Sequence, residues 1–154
     1  MRGTRLWWGA MVVLGLALGT IRAVEGPLHG SAIGSGLADL LAAVVVILAA
    51  RAVRRQGGHP AWTGAGLGVV FAALGSWPVW LVHVTRTQVR TLLASRLHVT
   101  PSAAEITQTL RLMNAPAAHA VSYGGALLGG LVIGLILGAI GGATTRPGEP
   151  SQAV

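Results

Sequence analysis

The sequence predicts an all-α integral membrane protein with four transmembrane helices and a short amphipathic helical segment between spans three and four. Of its 154 residues, 53% are hydrophobic and only 10% are charged, whereas about a quarter of the residues in a soluble domain are charged. The apolar residues also gather in runs close to the roughly 20 residues that a helix needs to cross a bilayer. We therefore expect one membrane domain over residues 1–154.

The first span is predicted at about residues 6–24, where a tryptophan pair opens an apolar run. Arg2 and Arg5 precede this run, which is the arrangement of an orientation signal followed by an interfacial anchor. A cleaved signal peptide is the alternative, but no small-residue cleavage site follows the run cleanly. Gly15 and Gly19 lie four residues apart and therefore share one face of this helix.

The second span is predicted at about residues 36–52, and its distinguishing residue is Asp39, the one acidic residue near an apolar core. A carboxylate inside a membrane is expensive, so a functional interpretation makes Asp39 a proton or cation site. The simpler interpretation is that Ser35 caps the helix and Asp39 lies in its first turn, where it complements the helix dipole. The position of Asp39 near the end of the span favours the simpler interpretation.

The third span is predicted at about residues 62–84, and tryptophans mark both of its ends. Trp62 and Trp80 are 18 residues apart, which is about 27 Å along a helix and nearly matches the hydrocarbon core. We expect them to anchor the helix at opposite interfaces. Pro78 removes a backbone donor, so we expect a static kink near the far end.

Two short amphipathic helices are predicted between the third and fourth spans, at about residues 85–98 and 101–113, because apolar residues recur there at helical spacing. Thr100 followed by proline is a start signal for the second of them, and Ser102 with Glu105 forms an overlapping capping-box signal. Basic amphipathic helices commonly lie on the membrane surface, which is our expectation here. Partner binding is the alternative.

The fourth span is predicted at about residues 118–143, after a break at Asn114–Pro116, and a disordered tail is predicted at 144–154. Its small residues recur at every fourth position, so they form a groove that allows another helix to approach closely. We expect this groove to receive the first span at Gly15 and Gly19, with self-association between copies as the alternative. The groove residues are Ala118, Ser122, Ala126, Gly130, Gly134, Gly138 and Gly142.

No catalytic motif accompanies these spans: the phosphate-binding loop, the zinc-protease helix and the nucleophile elbow are all missing from the sequence. The histidines at 29, 83, 98 and 119 gather at the predicted outer rim, but their spacing matches no metal-ligand motif. We therefore expect no catalytic residue, no metal and no cofactor. The candidate polar site residues are Asp39, His83 and His119, and the candidate helix-packing residues are Gly15, Gly19, Ala126, Gly130, Gly134, Gly138 and Gly142.

The eleven basic residues, all arginine, predict the orientation and the surroundings of the protein. Their placement between apolar runs suits anionic lipid headgroups better than nucleic acid. The use of arginine alone, together with the abundance of alanine and glycine, indicates a GC-rich bacterial genome and hence a bacterial inner membrane. The basic loop at 51–55 and the basic N-terminus predict that both termini lie in the cytoplasm. The expected partners are the lipid bilayer and either a second copy of the chain or a separate membrane subunit, with no nucleic acid.

The basic turn RAVRR, the span WTGAGLGVVFAALGSWPVW and the stretch LRLMNAPAAHAVSYGGALLGGLVIGLILGAI resemble a family of small bacterial four-span membrane proteins classed as a domain of unknown function. The resemblance covers about residues 51–143. It implies a four-span layout with an amphipathic stretch before the last helix. It implies no activity and assigns no site residues.

The function predicted from these observations is that of a non-catalytic accessory or structural membrane protein, which acts through close glycine-mediated helix packing. The alternative is a small transporter or channel that works as a homo-oligomer. That alternative requires Asp39 and at least one outer histidine to face a shared water-filled cavity.

Overall fold

The computed structural model describes residues 2–25, 32–81, 83–97 and 100–145. Within these ranges the chain is helical and contains no strand, which confirms the predicted all-α class. The elements are α1 (Arg2–Glu25), α2 (Ala32–Arg55), α3 (Pro60–Ser76), a 3-10 helix (Trp77–Trp80), α4 (Arg86–Leu97), α5 (Ala103–Met113) and α6 (Pro116–Ala143).

Four of the helices are long and apolar enough to cross a membrane, as the sequence predicted. Their side chains are mostly exposed to the surroundings of the chain, which is the expected state of a lipid-facing surface. This arrangement fits a multi-pass membrane protein. The segments are Arg5–Val24, Gly36–Arg55, Pro60–Trp80 and Pro116–Ala143.

The four spanning helices form a bundle in which neighbours in sequence are antiparallel. Trp8 lies against Gly66 and Gly19 lies against Trp77, so α1 and α3 run in the same direction. Gly138, near the end of α6, lies against Pro60 at the start of α3, so α6 runs opposite to α3. The start of α1 and the end of α6 are therefore at one end of the bundle, which we call the proximal end. The opposite end, with Glu25, Trp80 and Pro116, is called the distal end.

Helices α2 and α3 contact each other across the bundle, whereas the backbones of α1 and α6 stay more than 8 Å apart, Cα to Cα, within the described residues. The packed centre is formed by Met11 and Leu67, which are fully buried, together with Val46. At the proximal end the Arg51 Nε–H donates to the Thr144 hydroxyl at 3.0 Å and ties α2 to α6. Helix packing in a membrane depends on such close contacts and hydrogen bonds, because lipid removes most of the hydrophobic driving force.

Helices α4 and α5 form a hairpin at the distal end, and α4 contacts no spanning helix in the described part of the chain. Val89 and Ile106 are its buried apolar residues. The capping box predicted at Ser102 and Glu105 is present: Glu105 N–H donates to the Ser102 hydroxyl, and the Ser102 N–H donates to the Glu105 carboxylate at 2.7 Å. Ser102, and not Thr100, is therefore the N-cap of α5.

Several boundaries differ from the sequence-based expectations, and both α1 at Arg2 and α6 at Pro116 begin earlier than predicted. The third span is α-helical only to Ser76 and then tightens into the 3-10 turn around the buried Pro78, which cannot donate to a carbonyl four residues back. Helix α2 begins at Ala32, earlier than predicted. Thr144 and Thr145 are ordered by hydrogen bonds to the Gly141 carbonyl, and the rest of the predicted tail lies outside the described residues, as do His29 and His98.

Candidate functional site

The closest helix contact in the bundle joins α3 and α6 through glycine. A Cβ placed on Gly134 would lie 2.9 Å from the carbonyl carbon of Gly64. A Cβ on Gly68 would meet the carbonyl of Gly130 and lie 3.2 Å from the Cα of Gly134. Real Cβ atoms do not approach backbone this closely, so only glycine allows the two backbones to touch at these positions.

The predicted glycine groove is thus occupied by α3, and the expectation that it receives the first span is wrong. Gly15 and Gly19 of α1 also pack against α3, where their Cβ atoms would meet Leu74 and, for Gly19, the Trp77 side chain. The physical reason is that α3 carries its own pair of glycines four residues apart, Gly64 and Gly68. That spacing was visible in the sequence and could have identified α3 as the partner.

The remaining groove residues take different positions. Gly138 and Gly142 lie against the start of α3 at Pro60, whereas Ala118 is half-buried and Ser122 is exposed. Ala126 faces an internal space and contributes to its wall. The groove therefore packs against α3 from Gly130 to Gly142, and at Ala126 it borders a void whose wall also includes Gly130 and Gly134.

This void is a cavity of about 350 Å³ between the middle of the bundle and its distal end. All four spanning helices line it, and most of its wall is apolar or small, as at Leu18, Val46, Phe71 and Ile133. Its volume lies within the range of about 300–1,000 Å³ that small-molecule sites occupy. The cavity is the candidate functional site.

Three polar residues contribute to the cavity wall: Arg22, Asp39 and Ser76. All three lie on the distal parts of their helices. Arg22 is held by a hydrogen bond that its Nη1 donates to the Gly75 carbonyl at 3.2 Å. The cavity therefore has one end with two opposite charges and an otherwise apolar interior.

The position of Asp39 differs from the simpler sequence-based interpretation. Because α2 begins at Ala32, Ser35 lies inside the helix and Asp39 lies beyond the first turn, which contains no acidic residue. The helix-dipole effect falls off within one turn, so it does not account for a carboxylate at this position. The contribution of Asp39 to the cavity wall instead agrees with the interpretation of Asp39 as a polar site residue.

The other two candidate polar residues lie together at the distal end, outside the lining of this cavity. The ring centroids of His83 and His119 are 6.2 Å apart, and Trp80 packs edge-on against His119 and Tyr123. His119 is buried and His83 is exposed. These histidines were predicted as polar site residues, whereas Trp80 was predicted only as an interfacial anchor and Tyr123 was not singled out.

Asn114 fastens the connection between the last span and the hairpin. Its Oδ1 accepts from the Val84 N–H at 2.8 Å, and its Nδ2 donates to the Val84 carbonyl at 2.9 Å. The amide therefore replaces a backbone partner for Val84, just before α4 begins at Arg86. The sequence predicted Asn114 only as part of a helix stop.

In the described residues no three histidine, aspartate or glutamate side chains are grouped closely enough to hold a metal ion. The chain was also compared with protein-family models, with curated proteins and with solved structures. None of these comparisons finds a match. What the site can bind therefore follows from its own residues, which form an apolar cavity with one guanidinium and one carboxylate in its wall.

Proposed function

We propose that the protein is a non-catalytic accessory or structural subunit of a bacterial inner membrane, which acts through close helix contacts. The observation that carries this proposal is the backbone contact of α3 with α6 at Gly64, Gly68 and Gly134. Contacts of this kind make a stiff helix pair, because closer approach causes a clash and separation loses many van der Waals contacts. A stiff pair suits a protein that presents a constant surface to a partner.

The proposed partner is a second copy of the chain, and the proposed contact is the outward face of α6. The inward glycines of α6 are occupied by α3, so they are not accessible to another helix. The outward face is apolar and exposed, with Leu128 at 64% and Val132 at 52% of their full exposure. Because this face belongs to α6, the contact between α6 and α3 also fixes its position.

The test is the oligomeric state in lipid nanodiscs, measured by crosslinking and by native mass spectrometry. We expect a homo-oligomer that Leu128→Ala weakens several-fold, because that change removes apolar contact from the outward face. Leu6→Ala is the matched control, since Leu6 is 68% exposed on α1. A wild-type chain that stays monomeric and retains no other protein would contradict the proposal.

A transporter or channel that works as a homo-oligomer is the second candidate function. The observation that favours it is the presence of Asp39 in the wall of a cavity within the bundle. The part of this hypothesis that placed His83 or His119 in the same cavity has no support from the lining residues. Its test is proton and sodium flux in proteoliposomes, and a flux that Asp39→Asn leaves unchanged would exclude the carboxylate from transport.

A further inference from the structure

We propose that the cavity between the four spanning helices binds a zwitterionic phospholipid with a primary ammonium, of the phosphatidylethanolamine type. One acyl chain occupies the apolar interior, Arg22 binds the phosphate and Asp39 binds the ammonium. This assignment does not rest on the proposed accessory function. The cavity would bind the lipid in the same way in an accessory subunit and in a transporter.

The interior of the cavity selects an apolar occupant. Its wall is formed by side chains such as Leu18, Val46, Phe71 and Leu137, together with glycines of α6. A buried water needs two to four polar partners, and cavities lined by apolar side chains stay dry. The described polar residues of the wall are confined to the distal helix ends. An acyl chain therefore suits the interior better than a row of water molecules does.

The cavity is accessible from the lipid side of the bundle. Ile133 contributes to the cavity wall and is 59% exposed, so the cavity is not closed off at this position. Asp39 is also exposed while it lines the cavity. An acyl chain can therefore enter sideways from the surrounding bilayer, and its headgroup stays near the distal interface.

The two charges at the distal end select the headgroup. A guanidinium has five N–H donors, so Arg22 retains donors for a phosphate after its bond to the Gly75 carbonyl. A carboxylate accepts from a primary ammonium but repels an anionic headgroup. Opposite charges on the walls of one cavity therefore match a zwitterion, with the phosphate on Arg22 and the ammonium on Asp39.

The first experiment changes the volume of the cavity and leaves its charges in place. Gly129 lines the cavity, and a Cβ at this position would meet no atom within 4 Å, so the leucine of Gly129→Leu begins in open space and reduces the volume of the cavity. Gly124→Leu is the matched control, because Gly124 lies on the same helix with equally open surroundings and is not part of the lining.

Native mass spectrometry of the purified full chain, titrated with phosphatidylethanolamine, measures the bound lipid. We expect one bound lipid per chain in the wild type and in Gly124→Leu. We expect at least about a tenfold loss of affinity in Gly129→Leu, because the leucine side chain occupies the space of the acyl chain. Thermal unfolding in the same detergent checks that both variants are folded.

The second experiment tests the charges with phosphatidylethanolamine and phosphatidylglycerol of identical acyl chains. The wild type should prefer phosphatidylethanolamine by about tenfold, the effect of one charge-assisted hydrogen bond. Asp39→Asn should remove this preference, and Arg22→Gln should weaken both lipids because both carry the phosphate.

Three outcomes would overturn the proposal. Unchanged lipid binding in Gly129→Leu would place the lipid outside the cavity. Equal binding of the two lipids by the wild type would exclude recognition of the ammonium by Asp39. Loss of a dimer in Gly129→Leu, without any bound lipid in the wild type, would show that a second copy of the chain fills the cavity.

Discussion

At the residue scale, the glycines of α6 are of two kinds that the sequence does not distinguish. Gly130, Gly134 and Gly138 touch the backbone of α3 or lie against it. Gly124 and Gly125 have open space where a side chain would be. A substitution by alanine therefore has opposite consequences at neighbouring turns of one helix.

We predict that Gly134→Ala destabilises the bundle by about 1–3 kcal/mol, the typical effect of overpacking. The new Cβ would meet the carbonyl of Gly64 and lie 3.1 Å from the Cα of Ala65, so a backbone segment and not a flexible side chain has to shift. The measurement is reversible unfolding in mixed detergent micelles, monitored by circular dichroism.

The matched control is Gly125→Ala, which makes the same chemical change on an exposed face. Here the better helix propensity of alanine, worth up to about 1 kcal/mol, meets no steric penalty. We expect the stability of this variant to be equal to or greater than that of the wild type. Equal losses in both variants would show that α3 and α6 are not in backbone contact.

At the element scale, the α4–α5 hairpin depends on local hydrogen bonds more than on packing. In the described residues, its one contact with a spanning helix is the contact of α5 with α6. Asn114, between α5 and α6, is hydrogen-bonded to Val84. The capping box starts α5, and the hydrogen bonds from the Ser102 N–H and hydroxyl hold the pKa of Glu105 below its ordinary value of 4.5.

We predict that the hairpin loses stability in acid. Because the pKa of Glu105 is lower in the folded state, the stabilisation is complete above the ordinary pKa and is lost as the pH falls through the folded-state pKa. Hydrogen exchange of the α5 amides, compared between wild type and Glu105→Gln at each pH, measures the effect.

The glutamine variant separates this titration from other acid effects, because its side chain accepts a hydrogen bond but does not titrate in this range. The wild type should be better protected than the variant at neutral pH, and the difference should disappear in acid. A difference that is independent of pH would show that the charge of Glu105 contributes nothing to the cap.

At the scale of the whole molecule, the four spans of the described residues place the start of α1 and the end of α6 at the proximal end of the bundle. The basic segment at 51–55 lies at the same end, where Arg51 is linked to Thr144. Concentrated arginine next to spanning helices remains preferentially in the cytoplasm. We therefore infer that the proximal end is cytoplasmic and the hairpin is outside.

Single-cysteine labelling tests this orientation cleanly, because the chain contains no cysteine. Gln56 is exposed after the end of α2 at the proximal end, and Gln108 is exposed on α5 at the distal end. A membrane-impermeant maleimide added to intact cells should label Gln108→Cys and leave Gln56→Cys unlabelled. Detergent lysis should make both reactive, and the reverse pattern in intact cells would invert the topology.

Much of this architecture follows from local signals. Hydrophobic runs of bilayer length predicted the spans, since a helix is the one way for a single segment to satisfy its own backbone in lipid. The capping box at Ser102 and Glu105 was predictable because its residues are three positions apart. The early start of α2 was not predicted, because its glycines are typical of a turn in water but are tolerated in a membrane helix.

The candidate site was predicted only in part. Asp39 was selected as the one acidic residue near an apolar run. It was interpreted as a residue of the first helical turn, but α2 begins at Ala32, so Asp39 lies beyond that turn. Arg22 and Ser76 were not selected, because nothing local relates them to Asp39. His83 and His119 were selected as two of four histidines at one rim; their rings lie 6.2 Å apart, but they do not line the cavity.

The sequence by itself determined the four spans, the amphipathic hairpin and the cap of α5, because each depends on residues close together in the chain. Only the tertiary structure decided that α6 packs its glycines against Gly64 and Gly68, and that Arg22 and Asp39 line one cavity. The physical reason is that a small residue permits close approach but does not choose its neighbour. Partners and voids are set by how all four helix faces fit together.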